Sequence, residues 1–150
     1  MGSRPGDFKV QYSWTAASVP PPYHFEYDVT IGPGLTGSVV YLPDYPGADT
    51  PTWSAEFTLT EADLDALYQL ILRQGVLSRK WREIKNPPVG GDTTGLQVQA
   101  NGKTVRVHSL VVDAARLEPI NEAITKLVPQ EIWDTFAGQR EQYQQEHSRE

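Results

Sequence analysis

The sequence predicts an α+β fold: a two-layer domain with a mostly antiparallel sheet of about five to six strands, two amphipathic helices on one face and a short C-terminal helix. Three observations predict it. An alternation of apolar and polar residues changes to helical spacing at Thr60. The pair Asn101-Gly102 separates two alternating segments, as in a β-hairpin. A second amphipathic segment begins near Pro119.

Three strands are predicted in the first third of the chain, at residues 8–14, 23–31 and 38–42. Apolar and polar side chains alternate along the first two, which is the period of a half-buried strand. A turn rich in Gly and Pro, residues 32–37, joins the second strand to the third, so these two are expected to form a hairpin. The apolar run at 39–42 does not identify which face of the third strand is buried.

A fourth strand, residues 53–59, leads directly into the first helix. Thr60 is expected to cap this helix by accepting a hydrogen bond from the backbone N–H of Asp63. The Asp63 carboxylate can in turn accept from the Thr60 N–H, which is a variant of the capping box. Apolar residues then recur at helical spacing until Gly75, which supplies the left-handed stop.

Residues 96–110 predict a hairpin whose two-residue turn, Asn101-Gly102, fixes the strand register. In that register apolar residues lie opposite apolar residues, as at Val98 and Val105, and polar residues lie opposite polar residues. The side-chain pattern and the turn chemistry therefore agree.

Two further helices follow the hairpin. One begins at Pro119 and runs to residue 128 with an apolar stripe along one side. The other is a short helix over residues 130–136. We expect a single domain over residues 1–136, followed by a polar C-terminal tail or helix extension at residues 137–150.

Composition excludes several functional classes. The chain has no cysteine, so it has neither disulfides nor a thiolate nucleophile, and it is expected to be cytoplasmic. The first residues are not followed by an apolar stretch, and no apolar run is long enough for a membrane span, so neither a signal peptide nor membrane insertion is expected. The net charge is −6, with three basic and nine acidic side chains in residues 1–75, which disfavours nucleic-acid binding.

The strand face opposite the predicted helices would be polar and available for binding. It is formed by Lys9, Gln11, Ser13, His24, Glu26, Asp28, Ser54, Glu56, Thr58, Gln97, Gln99, Thr104, Arg106 and His108. We predict a non-catalytic binding or protein-interaction domain that uses this face or the loops at residues 43–51 and 86–95. The partner would be a protein or a small polar ligand, and the candidate ligand-binding residues are Arg106, His108, Gln97 and Glu56. The sequence contains no Gly-x-Ser-x-Gly motif, so this signature of nucleophilic catalysis is absent.

A metal site is the alternative hypothesis. His24, Glu26 and His108 supply nitrogen and oxygen ligands of the kind that zinc or manganese accepts, and they could constitute a metal-binding domain or a small metal-assisted enzyme. This requires that the strands carrying His24 and His108 be neighbours. A third hypothesis is that the acidic first half docks on a basic protein.

Overall fold

The computed structural model describes residues 3–86 and 91–148. It contains a six-stranded antiparallel sheet and three α-helices, which confirms the predicted α+β class. The strands are β1 Lys9–Thr15, β2 Glu26–Ile31, β3 Thr36–Leu42, β4 Trp53–Thr58, β5 Thr93–Ala100 and β6 Lys103–His108. The helices are α1 Glu61–Arg73, α2 Glu118–Leu127 and α3 Gln130–His147, with a short 3-10 helix at Ala114–Leu117.

The strands lie in the order β4-β3-β2-β1-β5-β6. Hairpin connections place β1 to β4 side by side, and the chain then crosses back through α1 to add β5 on the other side of β1. The β5–β6 hairpin completes the sheet. The first strand of the sequence is therefore an interior strand, and its two neighbours are β2, the next strand along the chain, and β5, which follows α1.

The apolar side chains of the strands share one hydrophobic cluster with the helices. The strand members that are fully or almost fully buried are Val10, Tyr12, Val29, Ile31, Val39, Tyr41, Phe57, Leu96, Val98, Ala100 and Val107. The helices contribute Leu64, Leu67, Tyr68, Ile71, Ile120, Ile124 and Phe136. Complete burial of one such aliphatic side chain is worth about 1.5–3 kcal/mol in transfer free energy, which offsets the entropy lost on ordering the chain.

The start and end of α1 are as predicted. Thr60 Oγ1 accepts from the Asp63 N–H at 3.0 Å, and Asp63 Oδ2 accepts from the Thr60 N–H at 3.1 Å. These two bonds satisfy backbone donors that have no partner within the first turn. After the helix, Gly75 has φ +75°, a left-handed conformation in which glycine is favoured.

The predicted hairpin register is confirmed. Ala100 pairs with Lys103, and Asn101 and Gly102 both have positive φ. The turn is also held from a distance: the Asp7 carboxylate accepts from the backbone N–H groups of Asn101 at 2.8 Å and Gly102 at 2.7 Å. These two hydrogen bonds lower the pKa of Asp7, because they stabilise its charged form.

Three predicted strand starts differ from the structure by two or more residues. The second strand begins at Glu26 and not at residue 23, because its pairing with β1 and β3 starts there. His24 lies before the strand, where it contacts Glu26 and stacks on Tyr45. The third strand begins at Thr36, inside the predicted turn at residues 32–37, because Thr36 pairs with Thr58 of β4. The fifth strand begins at Thr93, within the predicted 86–95 loop, because its first residues pair with β1. Residues 87–90 of that loop lie outside the described residues.

The last helix is longer than the predicted short one. It continues to His147, and its second half is attached to the sheet side of the molecule by two side-chain contacts. The Arg140 guanidinium donates to the Tyr41 hydroxyl at 2.8 Å, and the Tyr143 hydroxyl donates to Asp44 Oδ2 at 2.9 Å. Of the expected polar tail, residues 149–150 lie outside the described residues.

Within residues 3–86 and 91–148, no helix is both long enough and apolar enough to cross a lipid bilayer.

Two glycines provide a matched test of the packing. A Cβ at Gly37, on β3, would overlap the ring of Phe57 on β4, whereas a Cβ at Gly138, on α3, would meet no atom within 4 Å. We expect Gly37→Ala to lower the free energy of unfolding by about 1–3 kcal/mol through overpacking. We expect Gly138→Ala to raise it by about 0.5–1 kcal/mol, because alanine favours the helix. Urea unfolding measures both, and equal stability of Gly37→Ala and the parent would contradict this packing.

Candidate functional site

The polar side of the sheet contains a groove that crosses β2, β1, β5 and β6 and reaches Val40 on β3. Its volume is about 590 Å³, within the usual range for small-molecule sites. Its polar lining consists of Gln11, Ser13, Asp28, Thr30, Gln97, Arg106 and His108, with Gly95 among them. We take this groove as the candidate functional site.

The floor of the groove is low because of Gly95. Strand register places Asp28, Ser13, Gly95 and His108 in one row across four strands. Gly95 has no side chain to fill its position, and a Cβ there would lie 2.8 Å from Ser13 Oγ. The row therefore has charged or titratable side chains at its ends and small residues at its centre.

Two glutamine side chains in the neighbouring row orient Arg106, the arginine of the groove. Gln11 Oε1 accepts from Gln97 Nε2 at 2.9 Å, and Gln97 Oε1 accepts from Arg106 Nε at 2.7 Å. The two amides thus hold the guanidinium through Nε and leave its terminal N–H groups for another acceptor. Among residues 3–86 and 91–148, no carboxylate forms an ion pair with Arg106.

His108 is held in one tautomer at the edge of the groove. Its Nδ1 accepts from the Leu110 N–H at 3.1 Å, so in the neutral ring Nε2 carries the hydrogen and donates to Glu83 Oε1 at 3.1 Å. These two hydrogen bonds orient the His108 ring on β6, the edge strand of the sheet.

Asp28 lies at the opposite end of the row from His108. Partial loss of hydration raises the pKa of Asp28, and the negative charge of Glu26 raises it further. Three strand spacings separate Asp28 from His108, about 14 Å between backbones at the usual spacing. The groove therefore presents a guanidinium and an imidazole at one end and a carboxyl group at the other.

Three of the four predicted ligand-binding residues lie together in this groove: Arg106, His108 and Gln97. Glu56 does not. It is on β4, at the opposite edge of the sheet from Arg106, and five strand spacings place it about 24 Å away. The alternating pattern predicts that Glu56 and Arg106 share the polar face, but it does not encode the strand order that separates them.

The structure does not bring the three predicted metal ligands together. His24 Nε2 lies 2.8 Å from Glu26 Oε2, and the His24 ring is 2% exposed and stacked on Tyr45 at 3.8 Å. His108 lies on β6, with β1 and β5 between it and β2. In the described parts of the chain, no three His, Asp or Glu side chains are grouped so that they could hold a metal ion.

Sequence reasoning missed the contribution of Gly95, because it assigned this residue to a loop. The signal was present: Thr93 and Gly95 have the same parity as Gln97 and Gln99, so the polar alternation extends backward from the hairpin. The sequence pattern places Asp28 and Ser13 on the polar face, but neither belongs to the predicted ligand-binding set.

No protein-family model and no curated protein matches this sequence significantly.

Asp28 gives a pH-dependent prediction. Because its pKa is raised in the folded state, its ionisation disfavours folding, and the stability it contributes when protonated is lost as pH rises through its folded pKa. We expect Asp28→Asn to raise the free energy of unfolding at pH 7, by less than about 1 kcal/mol because water reaches the carboxyl group. The gain should disappear below the ordinary carboxyl pKa of 3.8. Thermal unfolding across this pH range measures it, and a loss of stability at pH 7 would contradict the account.

Proposed function

We propose that this chain is a non-catalytic binding domain with a two-layer α+β arrangement, in which the helices cover one face of the sheet. The groove on the other face would bind a small polar ligand that carries a carboxylate or phosphate group together with hydroxyl or amino groups.

The observation that carries this proposal is the Arg106 guanidinium. It lies in the groove, is oriented by two consecutive amides, and forms no ion pair within the described residues. Oriented guanidinium groups suit carboxylate and phosphate ligands, because two N–H donors match two oxygen acceptors. The ligand's anionic group is therefore assigned to Arg106.

The remaining lining favours hydroxyl or amino groups on the same ligand. Asp28 offers an acceptor, while Ser13 and Thr30 offer hydroxyl groups that both donate and accept. The separation of Arg106 and Asp28 across the groove suits a molecule longer than a simple anion. Sugar acids and sugar phosphates have this combination of one anionic group and several hydroxyl groups.

Binding of glucuronate and glucose 6-phosphate tests the proposal, with neutral glucose as the reference. In amide-resolved NMR titrations we expect both anions to shift resonances of Ser13, Gly95 and Gln97, and glucose to bind at least tenfold more weakly. Arg106→Gln should lower the affinity for both anions at least tenfold, because it removes a charge-assisted hydrogen bond.

Two matched variants serve as controls. Glu56→Gln changes a charge on the same face outside the groove, and Arg73→Gln removes a basic side chain from α1. Both should bind as the parent does. Titrations in which neither anion shifts the groove, or in which Arg106→Gln binds like the parent, would overturn the proposal.

A further inference from the structure

A row of aromatic side chains crosses the apolar side of the sheet at the end where β1 finishes. Strand register places Trp14 beside Tyr27, Tyr27 beside Tyr41, and Tyr41 beside Trp53. Successive ring centroids are 5.6, 6.1 and 5.9 Å apart, and each pair is stacked. Phe25 extends the row, with its ring stacked 5.7 Å from that of Tyr41.

The third helix packs against this row but does not fill the space above it. Trp133 meets the edge of Tyr27 at 4.9 Å, and Phe136 stacks on Tyr41 at 5.0 Å. Beside Trp133 an open cavity of about 280 Å³ remains, and it lies apart from the polar groove. It is lined by Phe25, Tyr27, Tyr41, Thr125, Trp133, Ala137 and Arg140.

Arg140 is the one charged residue in this lining. Its guanidinium lies 4.0 Å from the centre of the Phe25 ring and donates to the Tyr41 hydroxyl at 2.8 Å, so its position is fixed by two contacts. It is half-buried, and in residues 3–86 and 91–148 it forms no ion pair. By contrast, Arg4 and Arg79 each bond a carboxylate.

A half-buried guanidinium without an anion is unusual, because loss of hydration disfavours a charge that has no partner. The stacking on Phe25 offsets part of this cost. The hydrogen bond to Tyr41 uses one of the five N–H donors, so several remain for an anionic group. The cavity thus combines aromatic walls with a pre-positioned cation.

We propose that this cavity binds a small planar aromatic carboxylate. The aromatic ring would lie among Tyr27, Tyr41 and Trp133, where offset or edge-to-face packing is available. The carboxylate would accept hydrogen bonds from Arg140. A volume of about 280 Å³ is just below the usual range for drug-sized ligands, so the cavity suits a molecule with a single ring.

Benzoate is the probe for this site. The reporter is the Trp133 indole N–H, which donates to the Thr125 carbonyl at 3.0 Å beside the cavity. We expect benzoate to shift this resonance saturably. Acetate lacks the ring and benzamide lacks the charge, so each should bind at least tenfold more weakly than benzoate. The same titration resolves the polar groove, since Gln97 and Gly95 lie on the other side of the sheet.

Two variants separate binding from folding. Arg140→Gln should weaken benzoate binding at least tenfold. Ala137→Leu keeps Arg140 and its contacts but places a larger side chain in the cavity, so it should also weaken binding at least tenfold. Gln145→Leu adds the same side chain at an exposed α3 position outside the cavity and should bind like the parent.

The proposal is overturned if benzoate leaves the Trp133 indole unshifted, or if it shifts only residues of the polar groove. It is also overturned if Ala137→Leu, correctly folded, binds benzoate as the parent does. Any of these results would mean that the cavity does not bind an aromatic carboxylate.

Discussion

The alternation of side chains is kept in step across all six strands, and the rest of the structure depends on this constraint. In an antiparallel sheet, directly paired residues point to the same side, so Val10, Val98 and Ile31 must face together. A shift of one residue in any strand would place its apolar set among polar residues. The register therefore determines at once which side chains are buried and which remain as a polar surface.

The polar groove is a consequence of that same register. Gln11, Gln97 and Arg106 lie in one row because the β1–β5 and β5–β6 pairings align them, and their side chains then connect by hydrogen bonds. Gly95 falls in the adjacent row beside Ser13, where the absence of a side chain deepens the surface. Residues far apart in sequence thus form one site without any loop.

The third helix packs on the row of aromatic side chains at the end of the sheet where β1 finishes. The wide aromatic side chains there extend beyond the aliphatic core, and α3 covers them with its own aromatic residues and with Arg140. Burial raises the pKa of the Tyr41 hydroxyl more than the charge of Arg140 lowers it, so the pKa is about 12. The hydroxyl is therefore neutral and accepts a hydrogen bond from the guanidinium. A polar helix is therefore attached by a few specific contacts and not by a continuous apolar stripe.

Local features were predictable from sequence because neighbouring residues determine them. The capping box at Thr60 and the turn at Asn101-Gly102 each depend on side chains within a few positions. The grouping of Arg106, His108 and Gln97 followed from the hairpin register in the same way.

Features that depend on distant partners were not predictable. The start of β5 is fixed by its pairing with β1, about eighty residues earlier, and the length of α3 depends on Tyr41 and Asp44. The separation of Glu56 from Arg106 depends on strand order, which a polarity pattern does not encode.

The central proposal is that the polar face is open to ligands while the helices cover the apolar face. Relaxation enhancement of NMR signals by a neutral, water-soluble spin probe measures this directly, because it reports the approach of solvent to each group. The account predicts strong enhancement at the side-chain amides of Gln11 and Gln97, and weak enhancement at the methyl groups of Val98 and Ile31, which are fully buried. Protection of Gln11 and Gln97 to the level of Val98 would show that the polar face is covered and would contradict the account.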